Sequence, residues 1–311
     1  MLQFPTVYCM EEAMKKNKTG LGAAAVAAAY VMWGMLTLYW NLLTEVNPVY
    51  ILAQRIIWSM VFMGIYLAVI GGIPEIKRLF KQKSTVFICF ICGILVTINW
   101  GVYIYAINSG HVLDASLGYF IEPVLVALIG IIAFKERPDT LEKITFVLAF
   151  AGLVYMIAKT ETFPVLSLLI AGSFAIYGAV KKNLKVTPQA SLFSETLFMT
   201  PFALIFAIIA EVNGIGSMGV ISGWKLLLLP ACGIVTSVPL LLFNIGVKKI
   251  PYYLSGIIMY INPTIQFLVG IFFFREPMDR DRLVSFIIIW AGVLLAVIDK
   301  IIIMHKERLN K

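Results

Sequence analysis

Long apolar runs alternate with short polar segments along the whole chain. Ten runs can be drawn, and each is close to the roughly 20 residues that an α-helix needs to cross a bilayer. They cover 21–43, 48–70, 85–107, 113–134, 141–158, 164–180, 190–211, 224–246, 253–274 and 282–303. Segments of about ten residues with alternating polarity, which are typical of membrane β-barrels, do not occur. The pattern therefore predicts an all-α polytopic membrane protein with ten transmembrane helices in a lipid bilayer.

Composition agrees with this pattern and excludes several classes of protein. Of the 311 residues, 60% are hydrophobic and 14% are charged, whereas soluble domains have about 25% charged residues. An ordinary soluble enzyme, a disordered protein and a secreted disulfide scaffold are thereby excluded. The formal net charge of +8 does not indicate nucleic acid binding, because the basic residues form no continuous face. Cys89 and Cys92 lie inside an apolar run, so we interpret them as packing residues.

Lysine and arginine are distributed unequally between alternate loops. The termini and the loops on their side contain 19 of these residues, whereas the loops on the other side contain 5. Cytoplasmic loops carry the excess of basic residues in membrane proteins. We therefore predict that both termini are cytoplasmic, with the arginine-containing loop after the ninth run as the exception.

The second half of the chain repeats the first at an offset of 140 residues. Glu122-Pro123 corresponds to Asn262-Pro263, and near the start of each half an offset of 144 pairs Trp33-Gly34 with Tyr177-Gly178. Because each half has five spans, the second copy enters the membrane from the opposite side. This is the inverted repeat of secondary transporters, whose substrate site lies between the halves. The predicted parts are an N-terminal cytoplasmic segment 1–20, five-helix repeats 21–158 and 164–303, and a cytoplasmic tail 304–311.

Ionisable side chains inside a span are costly and therefore mark candidate functional sites. Arg55 and Glu195 occupy equivalent positions in the two repeats. They can form an ion pair across the pseudo-symmetry axis, or Arg55 can hold an anionic substrate group with its guanidinium fork. Both can also simply extend to a membrane interface. Glu122 is either a proton carrier or a neutral carboxylic acid that packs between helices.

Uncharged polar and aromatic residues near the centres of the repeats predict the wall of a cavity. The alternative is hydrogen bonding between helices without a substrate. The candidate wall residues are Trp33, Asn99, Trp100, Asn244, Asn262 and Gln266. Pro123 and Pro263 interrupt equivalent helices, which predicts hinges with free backbone carbonyls.

Motifs for catalysis and for ATP hydrolysis do not occur in the sequence. We therefore predict no catalytic residue, no metal and no cofactor. The pattern favours a secondary transporter of a small polar metabolite or drug, with a proton as one option for the coupling ion and a homodimer as one option for assembly. A membrane-embedded enzyme and a non-transporting scaffold or receptor subunit are the alternatives.

Short motifs carry a further resemblance. They are Tyr30-x-x-Trp33-Gly34, Ala53-Gln54-Arg55-x-x-Trp58-Ser59, Asn99-Trp100, Leu117-Gly118-Tyr119-Phe120-Ile121-Glu122-Pro123 and Phe243-Asn244-x-Gly246-x-Lys248. These motifs resemble those of the RarD-type permeases in the EamA family of the drug/metabolite transporter superfamily. The resemblance implies two EamA repeats, a bacterial inner membrane and transport driven by a gradient. The chain departs from the family pattern at Glu122, where Asn is expected, and at Gln54, where His is common.

Overall fold

Helices account for every regular element in the residues that the computed structural model describes, which are 5–108, 112–158, 165–275, 280, 283–284, 287–295 and 298. The helices are α1 (Pro5–Asn41), α2 (Pro48–Val69), α3 (Ile73–Phe80), α4 (Lys83–Asn108), α5 (Val112–Ile132), α6 (Thr140–Ala158), α7 (Val165–Asn183), α8 (Pro188–Val212), α9 (Leu228–Val247), α10 (Tyr252–Met259) and α11 (Ile261–Phe272). A 3₁₀ turn at Gly223–Leu227 precedes α9, and residues 287–295 are also helical.

Seven helical segments of the described chain are long and apolar enough to cross a membrane. They are Lys18–Asn41, Pro48–Val69, Lys83–Ala106, Val165–Asn183, Pro188–Val212, Gly223–Val247 and Tyr252–Phe272, and the apolar segment Leu117–Ile132 is shorter. Large apolar side chains also cover the outside of the bundle: Ile65, Phe87, Val147, Phe202 and Ile208 are each more than half exposed. An apolar surface of this extent requires lipid. The all-α, multi-pass class is confirmed, while the count of ten helices stays a prediction and the tail 304–311 lies outside the described residues.

Equivalent caps begin the second helix of each half. The side chain of Asn47 accepts hydrogen bonds from the backbone N–H groups of Val49 and Tyr50 at 2.9 and 3.2 Å. At the equivalent position, the Thr187 hydroxyl accepts from the N–H of Ala190 at 3.4 Å. A proline follows each cap, where its missing N–H costs nothing and its fixed φ favours the first helical turn. The sequence repeat therefore extends to the local chemistry of helix initiation.

Two helix boundaries differ from the sequence-based limits. The first helix begins at Pro5 instead of residue 21, because the polar residues before the apolar run include strong helix formers such as Glu, Ala, Met and Lys. The ninth run is interrupted at Tyr260, a single turn residue between α10 and α11. The described N-terminal residues from Pro5 onward are thus continuous with the first span.

Helix packing follows the repeat. The contact between α1 and α9 corresponds to the contact between α7 and α4. In the same way, the contact between α2 and α9 corresponds to the contact between α8 and α4. The contact between α5 and α7 corresponds to the contact of α1 with α10 and α11. The contact between α2 and α8 is mapped onto itself when the halves are exchanged, and so is the contact between α5 and α10. Exchanging the two halves therefore maps the main helix contacts onto one another.

Equivalent glycines lie at two of these crossings. A Cβ atom on Gly93 of α4 would lie 2.9 Å from the carbonyl oxygen of Glu195 in α8. A Cβ atom on Gly233 of α9 would lie 2.3 Å from the carbonyl oxygen of Trp58 in α2. Small residues let membrane helices approach closely, so these two crossings depend on glycine.

Loops that are rich in basic residues meet at one end of the bundle, which we call the basic end. Glu75 of α3 accepts a hydrogen bond from the backbone N–H of Thr187 at 3.2 Å. Lys248 donates to the carbonyl oxygens of Leu184, at 2.7 Å, and Val186, and burial lowers the pKa of this ammonium from its ordinary value. At the far end, Lys225 pairs with Glu45 at 2.9 Å.

Candidate functional site

A cavity of about 100 Å³ lies between the two halves. Its walls come from the second half of α1 and α4, the first half of α2 and α5, and parts of α7 and α11, so it lies toward the far end. Seven of the nine side chains that the sequence predicts for the site line it: Trp33, Arg55, Asn99, Trp100, Glu122, Asn262 and Gln266. The remaining wall residues are Tyr30, Leu36, Thr37, Trp40, Tyr103, Tyr119 and Phe174. Sequence reasoning missed these, although Tyr30, Trp33, Thr37 and Trp40 recur at the spacing of one helix face.

Arg55 is held in the cavity by aromatic rings. Its guanidinium carbon lies 4.1 Å from the ring centroid of Trp100 and 4.9 Å from that of Trp40. Its Nε donates a hydrogen bond to the hydroxyl of Thr236 at 3.2 Å. No described residue accepts from the two terminal nitrogens, and no described carboxylate pairs with this charge. The fork is therefore oriented by its surroundings and free to take the planar oxygens of an anionic group.

Glu122 is buried, with 5% of its surface exposed, and faces the same cavity. No described residue forms a hydrogen bond or an ion pair with its carboxyl group. A buried carboxylate without a partner is costly. Such a group is stable when it is protonated or when a cationic ligand group pairs with it.

Amide side chains on α4 and α11 supply further hydrogen-bonding groups to the cavity. Asn99 donates to the carbonyl oxygen of Ile170 at 2.7 Å, which ties α4 to α7. Gln266 donates to the side-chain oxygen of Asn262 at 3.0 Å. The side-chain oxygens of Asn99 and Gln266 accept from no described residue, so they remain available to a solute.

Glu195 and Asn244, the other two predicted site residues, do not line the cavity. The carboxylate of Glu195 forms a buried ion pair with Lys181, so the predicted ion pair between Arg55 and Glu195 is not formed. Arg55 instead extends between the rings of Trp40 and Trp100. Lys181 was not among the candidates, because at the end of an apolar run it has the appearance of a loop residue.

The two predicted hinges have different geometries. Pro123 lies inside the continuous helix α5, where it removes one backbone hydrogen bond without ending the helix. Pro263 lies in the first turn of α11, and the helix break falls three residues earlier, at Tyr260. A proline is tolerated in a first turn, which explains why the break precedes Pro263.

Three aromatic rings, two of which line the cavity, pack against one another between α1, α7 and α9, and we call them the aromatic floor. The ring centroid of Trp33 lies 5.6 Å from that of Phe174 and 6.0 Å from that of Phe243. Phe174 and Phe243 are 5.2 Å apart. The floor therefore joins α1 of the first half to α7 and α9 of the second.

A cavity between two related halves of a membrane-embedded bundle is the arrangement expected of a transporter. The chain matches the EamA-like transporter family over residues 20–158 and 163–298. The chain belongs to this family. It is 38% identical to the Bacillus subtilis transporter YojE over 91% of this chain and 95% of that protein. It is 33% identical to the protein RarD of Escherichia coli over 93% of this chain and 97% of that protein.

The fold also occurs in a solved crystal structure. That chain superimposes with a TM-score of 0.67 at 16% sequence identity, and the similarity covers 91% of this chain and 97% of the other. At this identity the likeness supports the fold alone. The RarD resemblance of the sequence motifs is thus confirmed by proteins that match along nearly the whole chain.

Proposed function

We propose that this EamA family member is a gradient-driven secondary transporter that moves a small polar solute by alternating access. The single observation that carries the proposal is the cavity between the halves, where Arg55 is stacked on two tryptophans with its terminal nitrogens unpaired. A guanidinium in this setting favours a solute with a carboxylate or a similar planar anionic group. The aromatic rings and amides around it favour a small organic solute over an inorganic ion.

Glu122 is the proposed proton-coupling group. It shares the cavity with Arg55, so its protonation state changes the charge that a solute meets. A carboxyl group that alternates between a solvated and a desolvated position can bind a proton in one and release it in the other. Binding of solute and of proton would thereby be linked through the charge of one small cavity.

The proposed location is the inner membrane of a bacterium, with both termini in the cytoplasm. The excess of basic residues in alternate loops supports this orientation, and the named relatives are bacterial proteins. The relatives named as transporters favour transport over an embedded enzyme or a non-transporting scaffold.

Flux through purified protein tests the proposal. Proteoliposomes with an imposed proton gradient are given a panel of radiolabelled small carboxylates, amines and neutral polar compounds, with wild type and Arg55→Ala compared. Chloramphenicol belongs in the panel, because a Pseudomonas aeruginosa relative at 27% identity has the name "Chloramphenicol-sensitive protein RarD". We expect gradient-dependent flux of at least one carboxylate by the wild type and at least a tenfold loss in Arg55→Ala. Flux of carboxylates that is equal in the two proteins would contradict the assigned site.

A further inference from the structure

A second group of polar side chains is buried behind the aromatic floor, toward the basic end. Lys181 pairs with Glu195 and also donates to the hydroxyl of Ser191 at 2.7 Å. The Ser191 hydroxyl donates to Glu195 at 2.6 Å, and the Tyr177 hydroxyl donates to the other oxygen of Glu195 at 3.2 Å. Asn244 donates to the Tyr177 hydroxyl at 3.1 Å. We call these five residues the inner cluster.

The inner cluster is fully enclosed and incompletely satisfied. Lys181 and Glu195 are each 1% exposed, and Asn244 is 0% exposed. The side-chain oxygen of Asn244 has no hydrogen-bond partner among the described residues. A buried ion pair adds little net stability compared with apolar packing, so folding alone gives a weak reason for these charges.

The repeat relates three of the five residues of the inner cluster to residues of the cavity wall. At the offset of 144, Tyr177 is the equivalent of Trp33, and Lys181 is the equivalent of Thr37. At the offset of 140, Glu195 is the equivalent of Arg55. The first-half members of these pairs all line the cavity, while the second-half members are all buried.

Alternating access in an inverted repeat is largely a rocking of one repeat against the other. Because the two repeats are related by symmetry, we take the opposite state to be the one in which each half adopts the arrangement of the other. The helix contacts of this chain are already related by such an exchange. Under such an exchange Trp33, Thr37 and Arg55 become enclosed, and their equivalents Tyr177, Lys181 and Glu195 line a cavity open at the basic end.

We infer that the inner cluster is a second solute site, closed in this structure, which takes the anionic group of the solute when the molecule opens at the basic end. Lys181 would bind that group in place of Glu195, so the solute moves from one cation, Arg55, to another, Lys181, across the aromatic floor. This inference rests on the proposed function, since it assigns a second solute site on the same transport path.

Access to Ser191 from the basic end tests the inference. Ser191→Cys is made in a variant whose four native cysteines are replaced by alanine. Inside-out membrane vesicles are treated with 2-sulfonatoethyl methanethiosulfonate, an anionic thiol reagent that does not cross membranes. Thr145→Cys is the matched control: Thr145 and Ser191 are each 1% exposed, and both lie near the start of a helix at the basic end, but Thr145 is on the peripheral helix α6. We expect Ser191→Cys to react at least tenfold faster than Thr145→Cys.

Equal rates for the two cysteines would overturn the inference. A second variant distinguishes residues that act in transport from residues that only stabilise the fold. The double variant Lys181→Met with Glu195→Gln removes both charges and keeps similar side-chain volumes. We expect its thermal unfolding midpoint to stay close to that of the wild type while flux of the identified carboxylate falls at least tenfold; wild-type flux in this variant would overturn the inference. Absent flux in the wild type, together with a reactive Ser191→Cys, would instead contradict the proposed carboxylate transport and leave the inner site standing.

Discussion

Arg55 differs from an ordinary arginine inside a membrane bundle in that aromatic rings, and no described carboxylate, contact its charge. Its guanidinium plane is contacted by Trp100 and Trp40, and a lysine ammonium cannot reproduce both the stacking and the two-nitrogen fork. We expect Arg55→Lys to lower carboxylate flux at least tenfold although the charge is kept, measured as initial rates in proteoliposomes. Lys182→Arg, a charge-conserving change at the basic end, is the control and should keep most of the rate. Unchanged flux in Arg55→Lys would exclude recognition by the fork.

Glu122 should determine how flux depends on pH. In the Glu122→Gln variant the side chain can no longer exchange a proton, so solute movement loses its link to the proton gradient. We expect this variant to exchange labelled for unlabelled solute across the membrane but not to accumulate solute when a pH gradient is imposed. The measurement is the ratio of internal to external solute at several external pH values. A pH profile that matches the wild type would remove Glu122 from the coupling step.

Sequence reasoning found the charged residues of the site but not all of their partners. Arg55 and Glu122 were identifiable because a charge inside an apolar run needs a reason. An ion pair between Arg55 and Glu195 was one of the alternatives that symmetry suggested, whereas in the structure Glu195 pairs with Lys181. Which of two cations reaches a carboxylate depends on side-chain direction, and the sequence repeat does not contain that information.

Glu136, in the loop between α5 and α6, joins the first half of the protein to the second. Its two carboxylate oxygens accept hydrogen bonds from the backbone N–H groups of Tyr252, at 2.7 Å, and Tyr253, at 2.9 Å, at the start of α10. The ammonium group of Lys182 lies 3.4 Å from one of these carboxylate oxygens. A charged cap at a helix N-terminus contributes about 1 to 2 kcal/mol. We therefore expect Glu136→Gln to lower the thermal unfolding midpoint in detergent. Glu45→Gln, which removes an exposed pair with Lys225, is the control and should have a smaller effect. Equal shifts would show that the Glu136 cap does not support the fold.

Gly233 fixes how closely α9 approaches α2. Since an added Cβ would lie 2.3 Å from the Trp58 carbonyl oxygen, Gly233→Ala must separate the helices, at a cost of about 1 to 3 kcal/mol. Gly172→Ala in α7 is the control, because no atom lies within 4 Å of its added Cβ, and it should raise stability slightly through helix propensity. Thermal unfolding in the same detergent compares the two variants, and a stable Gly233→Ala protein would refute the close crossing.

The elements themselves followed largely from hydrophobic run length, because a span must contain enough apolar residues to cross the bilayer. The break at Tyr260 did not follow from the sequence. A proline three residues later indicated an interruption, but α5 passes through Pro123 unbroken, so proline alone does not determine where a membrane helix breaks. Neighbouring helices decide whether the freed backbone groups are satisfied.

The inverted repeat predicts that the two halves of the protein have opposite orientations in the membrane. Arg78 and Met218 are repeat equivalents at the offset of 140, and both are exposed. The two halves are related by exchange in their packing, and five spans in each half would place these residues on opposite sides. In a variant without native cysteines, we expect Met218→Cys to react with a membrane-impermeant maleimide in intact spheroplasts. Arg78→Cys should react only after permeabilisation, since its loop carries the basic residues typical of the cytoplasmic side. Labelling of both cysteines from the same side would mean parallel repeats, and the exchange of arrangements between the halves could not then open the molecule at the basic end.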